Sequence, residues 1–153
     1  MKIFTHYWLP VVVWIAVIFT LSTDTFSAEH TGSVLEYIIV HTVGQVETRT
    51  FEYIHFITRK LAHVTEYGVL GFLLFRAWRG DDTGGWRAAW VRQALGIVMG
   101  VAAVDEFHQS FVLSRGSSPW DALLDTLGAA LFLAVAYLIW TRKTKGPRYA
   151  TTA

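Results

Sequence analysis

Four runs of this chain, Trp8 to Leu21, Leu61 to Trp78, Trp90 to Val112 and Ala122 to Trp140, are long and apolar enough to be read as membrane spans. A helix rises about 1.5 Å per residue and the hydrocarbon core is about 30 Å thick, so about 20 helical residues cross it. The second and third runs carry acidic and His residues at one end. With 53% hydrophobic and only 16% charged residues in 153, the composition fits one integral membrane domain rather than a soluble one. The expected fold is all-α, a four-helix membrane bundle over residues 1–145 with a polar cytoplasmic tail over 146–153.

Charge distribution sets the expected sidedness. With four spans and the N-terminus inside, the inner segments hold nine of the thirteen Lys and Arg residues, from Lys2 through Arg76, Arg79, Arg87 and Arg92 to Arg142, Lys143, Lys145 and Arg148. The positive-inside rule then puts both termini in the cytoplasm and the chain in a cytoplasmic membrane. Trp8, Trp78, Trp90 and Trp140 lie near the inner span ends, where indoles favour the interface. Ten of the twelve acidic residues and five of the six His fall in the outer half. The first run, with Lys2 before it and LSTDTFSA after it, also fits a cleaved signal peptide, although Phe26 breaks the small-residue pattern ahead of Ala28. The remaining topology is the same either way.

The longest connection, about 22–58, is too long for a tight turn. Val34, Leu35, Ile38 and Ile39 recur at helical spacing and predict a short amphipathic helix on the outer surface. A second helical stretch from Thr50, with Phe51, Ile54 and Ile57, runs on into the second span. RGDDTGGW, Arg79 to Trp86, is a Gly-rich inner turn. Before the fourth span, Ser118 as N-cap places Pro119 at N1 and Asp121 at N3, a variant of the capping box. The chain has no cysteine, which excludes disulfides, thiolate metal sites and a cysteine nucleophile.

Chemistry is concentrated in three polar clusters: RKLAHVTEY from Arg59, DEFHQ from Asp105 and SRGSSPWDALLD from Ser114. Counted from the inner ends, Glu66, Asp105 and Asp125 lie about 12, 13 and 15 residues out, so all three reach the same outer third of the bilayer. At 100° per residue, Lys60, His63 and Tyr67 share an arc of the second span with Glu66 on its flank. Asp105, His108 and Gln109 share one on the third with Glu106 beside it, and Asp121, Asp125 and Gly128 share a face of the fourth. Charge within a membrane helix costs at least about 2.5 kcal/mol, so these faces should turn inward around a hydrated pocket.

In the segments RKLAHVTEYGVLGFLL, DEFHQSFVLSRGSSPWD and DALLDTLGA, the chain resembles the VanZ-like family, over about Leu21 to Leu131. These are small bacterial membrane proteins named for a factor in resistance to the glycopeptide teicoplanin. The resemblance implies a helical membrane protein of the bacterial envelope. The family pattern falls on Lys60, His63 and Tyr67, then Asp105, Glu106 and Gln109, then Arg115 and Asp121. Two departures stand out: Asp125 occupies a position where members often carry Asn, and a Gly common in the fourth span is replaced within AALFLAV.

These residues suggest an outward-facing pocket that binds or modifies an outer-leaflet lipid or lipid-linked cell-wall precursor. In that reading Lys60 and Arg115 hold the head group, with Tyr67, Gln109 and Asp121 as further contacts. His63 handles a proton, Asp105 and Glu106 serve with it as candidate catalytic groups, and Glu66, His108 and Asp125 support them. Two other readings use the same residues: a membrane-embedded hydrolase or transferase, and an ion-pair network that only locks the bundle. No cofactor is expected. His63, Glu66, Asp105, Glu106, His108 and Asp121 make a divalent cation the weaker alternative, since no HExxH or similar motif is present. Phosphate-loop and GxSxG motifs are also missing, and the basic excess is explained by topology rather than by nucleic acid.

Overall fold

A computed structural model of the chain describes residues 4–23, 28–111 and 118–144, and all regular structure among them is helical. A π-helical turn, Phe4–Trp8, leads directly into α1, Leu9–Leu21, with Pro10 in the first turn of α1. Next come α2, Ala28–Thr42, α3, Thr48–Arg79, α4, Ala88–Gln109, and α5, Pro119–Thr144. The surface helix expected around Val34 to Ile39 is the longer α2. The stretch expected from Thr50 is continuous with the second apolar run in the 32-residue α3. It is longer than the about 20 residues needed to cross a bilayer, and it also meets α2. Gly80, at φ +53°, ends α3 in a conformation that disfavours a Cβ.

Among the described residues, three stretches are long and apolar enough to cross a membrane: Phe4–Leu21, Ala88–Gln109 and Pro119–Lys143, with mean hydropathies of 1.8, 1.3 and 2.1. The expected second span within α3 is not among them, because His63, Glu66 and Arg76 dilute its apolar residues. Hydropathy therefore supports three of the four expected spans. Outward faces of α1, α4 and α5 present Val12, Val13, Met99, Val104, Leu127, Leu131 and Leu138. A continuous apolar surface of that kind suits lipid rather than water.

The polar α3 lies against α5, α4 and α1, and α4 also packs on α5. Tyr67, Leu70 and Leu74 of α3 meet Ala94, Val98 and Ala102 of α4 and Ala129 and Leu133 of α5 in a core almost without exposed surface. Small residues bring α3 and α5 close together. A Cβ built on Gly128 would lie 2.9 Å from the carbonyl oxygen of Val64, and one on Gly71 would lie 2.8 Å from the Ala129 methyl. Contacts of this kind let two backbones approach where apolar lipid offers no hydrophobic drive for helices to associate.

The two ends of the packed helices differ. At one end Trp8 meets Trp78 edge-on, Trp86 stacks on Phe75 at 4.2 Å and packs near Trp140, and Arg87 covers Trp90. Asp82 pairs with Arg87 at that end, and Arg76 approaches His6. The opposite end gathers the polar clusters.

Candidate functional site

The polar cluster divides into two parts with different hydrogen-bonding character. Asp105, only 1% exposed, is surrounded by donors. Its Oδ2 accepts from Ser22 Oγ at 2.9 Å, from Tyr67 OH at 3.1 Å and from Gln109 Nε2 at 2.9 Å. Gln109 also donates to Ser22 Oγ at 3.3 Å. One carboxylate oxygen thus ties the end of α1, the middle of α3 and the last turn of α4. Trp14 adds a second tie between α1 and α3 by donating to the Glu66 carbonyl at 2.9 Å. Each of these donors, buried without its acceptor, would cost about 1–3 kcal/mol.

The second part is a cavity of about 300 Å³ between α3 and α5, reaching Gln109 of α4. Glu52, His55, Phe56, Arg59, Lys60 and His63 of α3 line it on one side, and Asp121, Leu124 and Asp125 of α5 on the other. Lys60 is held by Asp121 at 2.5 Å, with both side chains a little over one quarter exposed. Deeper in, His63 Nδ1 lies 3.7 Å from Asp125 Oδ1, too far for a hydrogen bond. His63 Nδ1 and Asp125 Oδ2 are buried with no hydrogen-bond partner among the described residues, as is Asp105 Oδ1. The His63 ring lies parallel to that of Tyr67, and Gln109 belongs both to the cavity wall and to the Asp105 network. Nearer the mouth, partial burial and then the Arg59 charge one turn away lower the pKa of His55 below its ordinary value.

Glu106 has a third arrangement. Its Oε2 accepts the backbone N–H of Ser118 at 2.9 Å, while Ser118 Oγ accepts the Trp120 N–H at 3.3 Å. Ser118 is therefore the N-cap of α5 and Pro119 its N1 residue, as the sequence predicts. The expected closure of the capping box by Asp121 does not occur. Asp121 turns to the Lys60 ammonium, a stronger partner than a peptide N–H, and Glu106 of α4 takes the N–H that Asp121 leaves.

The VanZ/LLP1 family model matches residues 7–140, nearly the whole of this arrangement. The chain belongs to the VanZ/LLP1 family. No curated protein and no solved structure matches it.

In this VanZ/LLP1 member the remaining sequence candidates are placed as follows. Lys60, His63, Gln109, Asp121 and Asp125 line the cavity, whereas Tyr67 and Asp105 sit behind it and Glu106 lies at the α4–α5 junction. Glu66 is half-buried on the flank of α3, and its backbone carbonyl accepts from Trp14 of α1. His108, expected on the same face as Asp105, is exposed and lies edge-on to Phe19. Its position three residues beyond Asp105 turns it towards α1, while the four-residue step of Gln109 keeps that residue under Asp105. Arg115 lies outside the described residues. Among those described, no three His, Asp or Glu side chains converge as ligands for a metal ion.

Sequence reasoning missed Ser22, which it left at the start of an outer connection. Ser22 lies about 14 residues from Trp8, the depth already found for Asp105, and that count was the available signal. It also missed Glu52, His55 and Phe56, which reach the cavity because α3 begins at Thr48, more than three turns before the second apolar run.

Proposed function

We propose that this VanZ/LLP1 protein crosses the bacterial cytoplasmic membrane four times, with both termini in the cytoplasm, and holds an outer-leaflet amphiphile by its polar head. The fourth span is the part of α3 from Leu61 to Trp78. Its packing among three apolar helices supports this, because inward-facing polar groups are carried across a bilayer at lower cost than lipid-facing ones. The cavity is then the head-group site, and the apolar flanks of α4 and α5 accommodate the chains.

The observation that carries this reading is the orphaned pair at the cavity floor. Buried polar groups in a finished structural network have partners, as Asp105 Oδ2 and Glu106 do. Asp125 Oδ2 and His63 Nδ1, buried without partners on two residues that line the cavity, are the groups a ligand would complete. Arg59 and Lys60 supply positive charge at the mouth, with Lys60 already steadied by Asp121. Suitable amphiphiles are a lipid-linked envelope precursor or a phospholipid, which would connect the protein to glycopeptide susceptibility.

For Asp105, the structural-lock reading is the better supported, because its partners come from three helices and none is a cavity cation. Within the cavity, His63 beside Asp125 also provides the components of a general base, which keeps a hydrolase or transferase as the alternative. The test compares H63A and D125N with the native protein at equal membrane level, scoring glycopeptide susceptibility and the lipids that co-purify. Loss of both the phenotype and the bound lipid is expected. Unchanged lipid and unchanged susceptibility in both variants would refute the reading.

A further inference from the structure

We infer that the cavity is built for a polyhydroxylated head group, a glycosyl or similar polyol unit, rather than for a bare phosphate or an ammonium. This rests on the amphiphile reading and names its ligand chemistry.

The first argument is the balance of the lining. A phosphate site gathers donors, yet here Glu52, Asp121 and Asp125 stand beside Arg59 and Lys60, and Lys60 is already engaged by Asp121. An ammonium site gathers acceptors, yet Arg59 and Lys60 guard the same cavity. Interleaved donors and acceptors match hydroxyl groups, each of which donates one hydrogen bond and accepts others.

The orphaned pair is the second argument. His63 Nδ1 faces the Asp125 carboxylate at 3.7 Å, an orientation that favours a proton on Nδ1, since a lone pair there would oppose the carboxylate oxygens. The pair thus offers one donor and one unfilled acceptor, Asp125 Oδ2, on a residue 1% exposed that lines the cavity. One hydroxyl satisfies both, accepting from His63 and donating to Asp125. An ammonium cannot accept, and a fully ionised phosphate cannot donate. The last torsion of an Asp side chain is broad, so a modest turn presents either oxygen to the cavity.

The third argument is Phe56, 55% exposed at the same wall with the Lys60 ammonium 5.5 Å from its ring centre. An exposed aromatic ring beside acidic and amide groups offers a flat apolar surface to the C–H face of a sugar ring. Neither a phosphate nor an ammonium alone needs that combination with Gln109 and Asp125.

The test uses the full chain in phosphatidylcholine nanodiscs doped with glucosyl diacylglycerol, phosphatidic acid or phosphatidylethanolamine of matched acyl chains, with retained lipid read by native mass spectrometry. Retention of the glucosyl lipid should exceed that of the other two by about tenfold, the effect of roughly one well-formed hydrogen bond. D125N and F56A, each shown to unfold at the native temperature or above, should lose that preference. Equal or greater retention of phosphatidic acid or phosphatidylethanolamine overturns the inference while leaving the amphiphile reading standing, as does a preference that survives both variants. Retention of none of the three above phosphatidylcholine overturns both. Displacement of the glucosyl lipid by free glucose at millimolar concentration supports the hydroxyl chemistry and moves its source from the membrane to solution.

Discussion

Replacing Gly128 with alanine should separate α3 from α5 at the level of the cavity. The new methyl would lie 2.9 Å from the Val64 carbonyl oxygen and 3.0 Å from its Cα, both backbone atoms that no rotamer change can move. Ordinary contact begins near 3.4 Å, so the helices must part by about half an ångström. Overpacking of this kind costs about 1–3 kcal/mol, and each kcal/mol lowers the melting temperature of a chain this size by roughly 2–4 °C. Val64 adjoins His63, and Gly128 lies one turn beyond Asp125, so the same displacement lengthens the His63–Asp125 gap. Gly96 and Gly100 supply the control, since a Cβ at either meets nothing within 4 Å. G96A and G100A should be neutral or stabilising by about 0.5–1 kcal/mol, because alanine is the better helix former. Tryptophan-fluorescence melts of the three variants in one detergent, with lipid retention measured alongside, provide the comparison. A G128A protein as stable as G100A would refute the assignment of the α3–α5 contact.

Other perturbations separate the lock from the cavity. D105A should destabilise by about 2–4 kcal/mol, since it orphans donors from Ser22, Tyr67 and Gln109, whereas D125N should be neutral or stabilising in the absence of ligand; chemical denaturation of both in detergent checks the contrast. A double-mutant cycle on K60Q and D121N should give a coupling of about 1 kcal/mol that weakens with added salt, as befits a pair with partial solvent access. His55 should titrate below the ordinary histidine range by NMR, and R59Q should move its midpoint upward by removing the second cause of the depression. Because the folded protein disfavours its protonation, this group adds stability at neutral pH that is lost on acidification through the ordinary histidine pKa.

Much of this arrangement was legible from residue counting, and its limits have physical causes. Depth counted from the inner span ends put Glu66, Asp105 and Asp125 at one level, and the Ser118–Pro119 signal located the start of α5 to the residue. Helical facing correctly grouped Lys60 with His63, and Asp105 with Gln109. It could not tell which carboxylates have partners, because partners lie on other helices. Adjacent Asp105 and Glu106, suspicious as a pair of charges in sequence, turn out to face different neighbours: Ser22, Tyr67 and Gln109 for one, the Ser118 N–H for the other. Asp125 carries the same residue type yet has no hydrogen-bond donor at either oxygen among the described residues, whereas Asp105 has three at Oδ2. The inter-helix glycine contacts were also beyond periodicity, which marks Gly128 on the face of Asp125 but not its proximity to the Val64 backbone.

The cap shared between α4 and α5 has a consequence for assembly. The acceptor that finishes the start of α5 is carried by Glu106, on the helix made just before it. The start of α5 is therefore held in part by its own Ser118 Oγ and in part by a carboxylate on α4. An isolated α5 would keep the Ser118 cap and Pro119 but lose the acceptor for the Ser118 N–H. A shift of α4 along its axis would therefore register as fraying of the first turn of α5, beside Asp121 and at the mouth of the cavity.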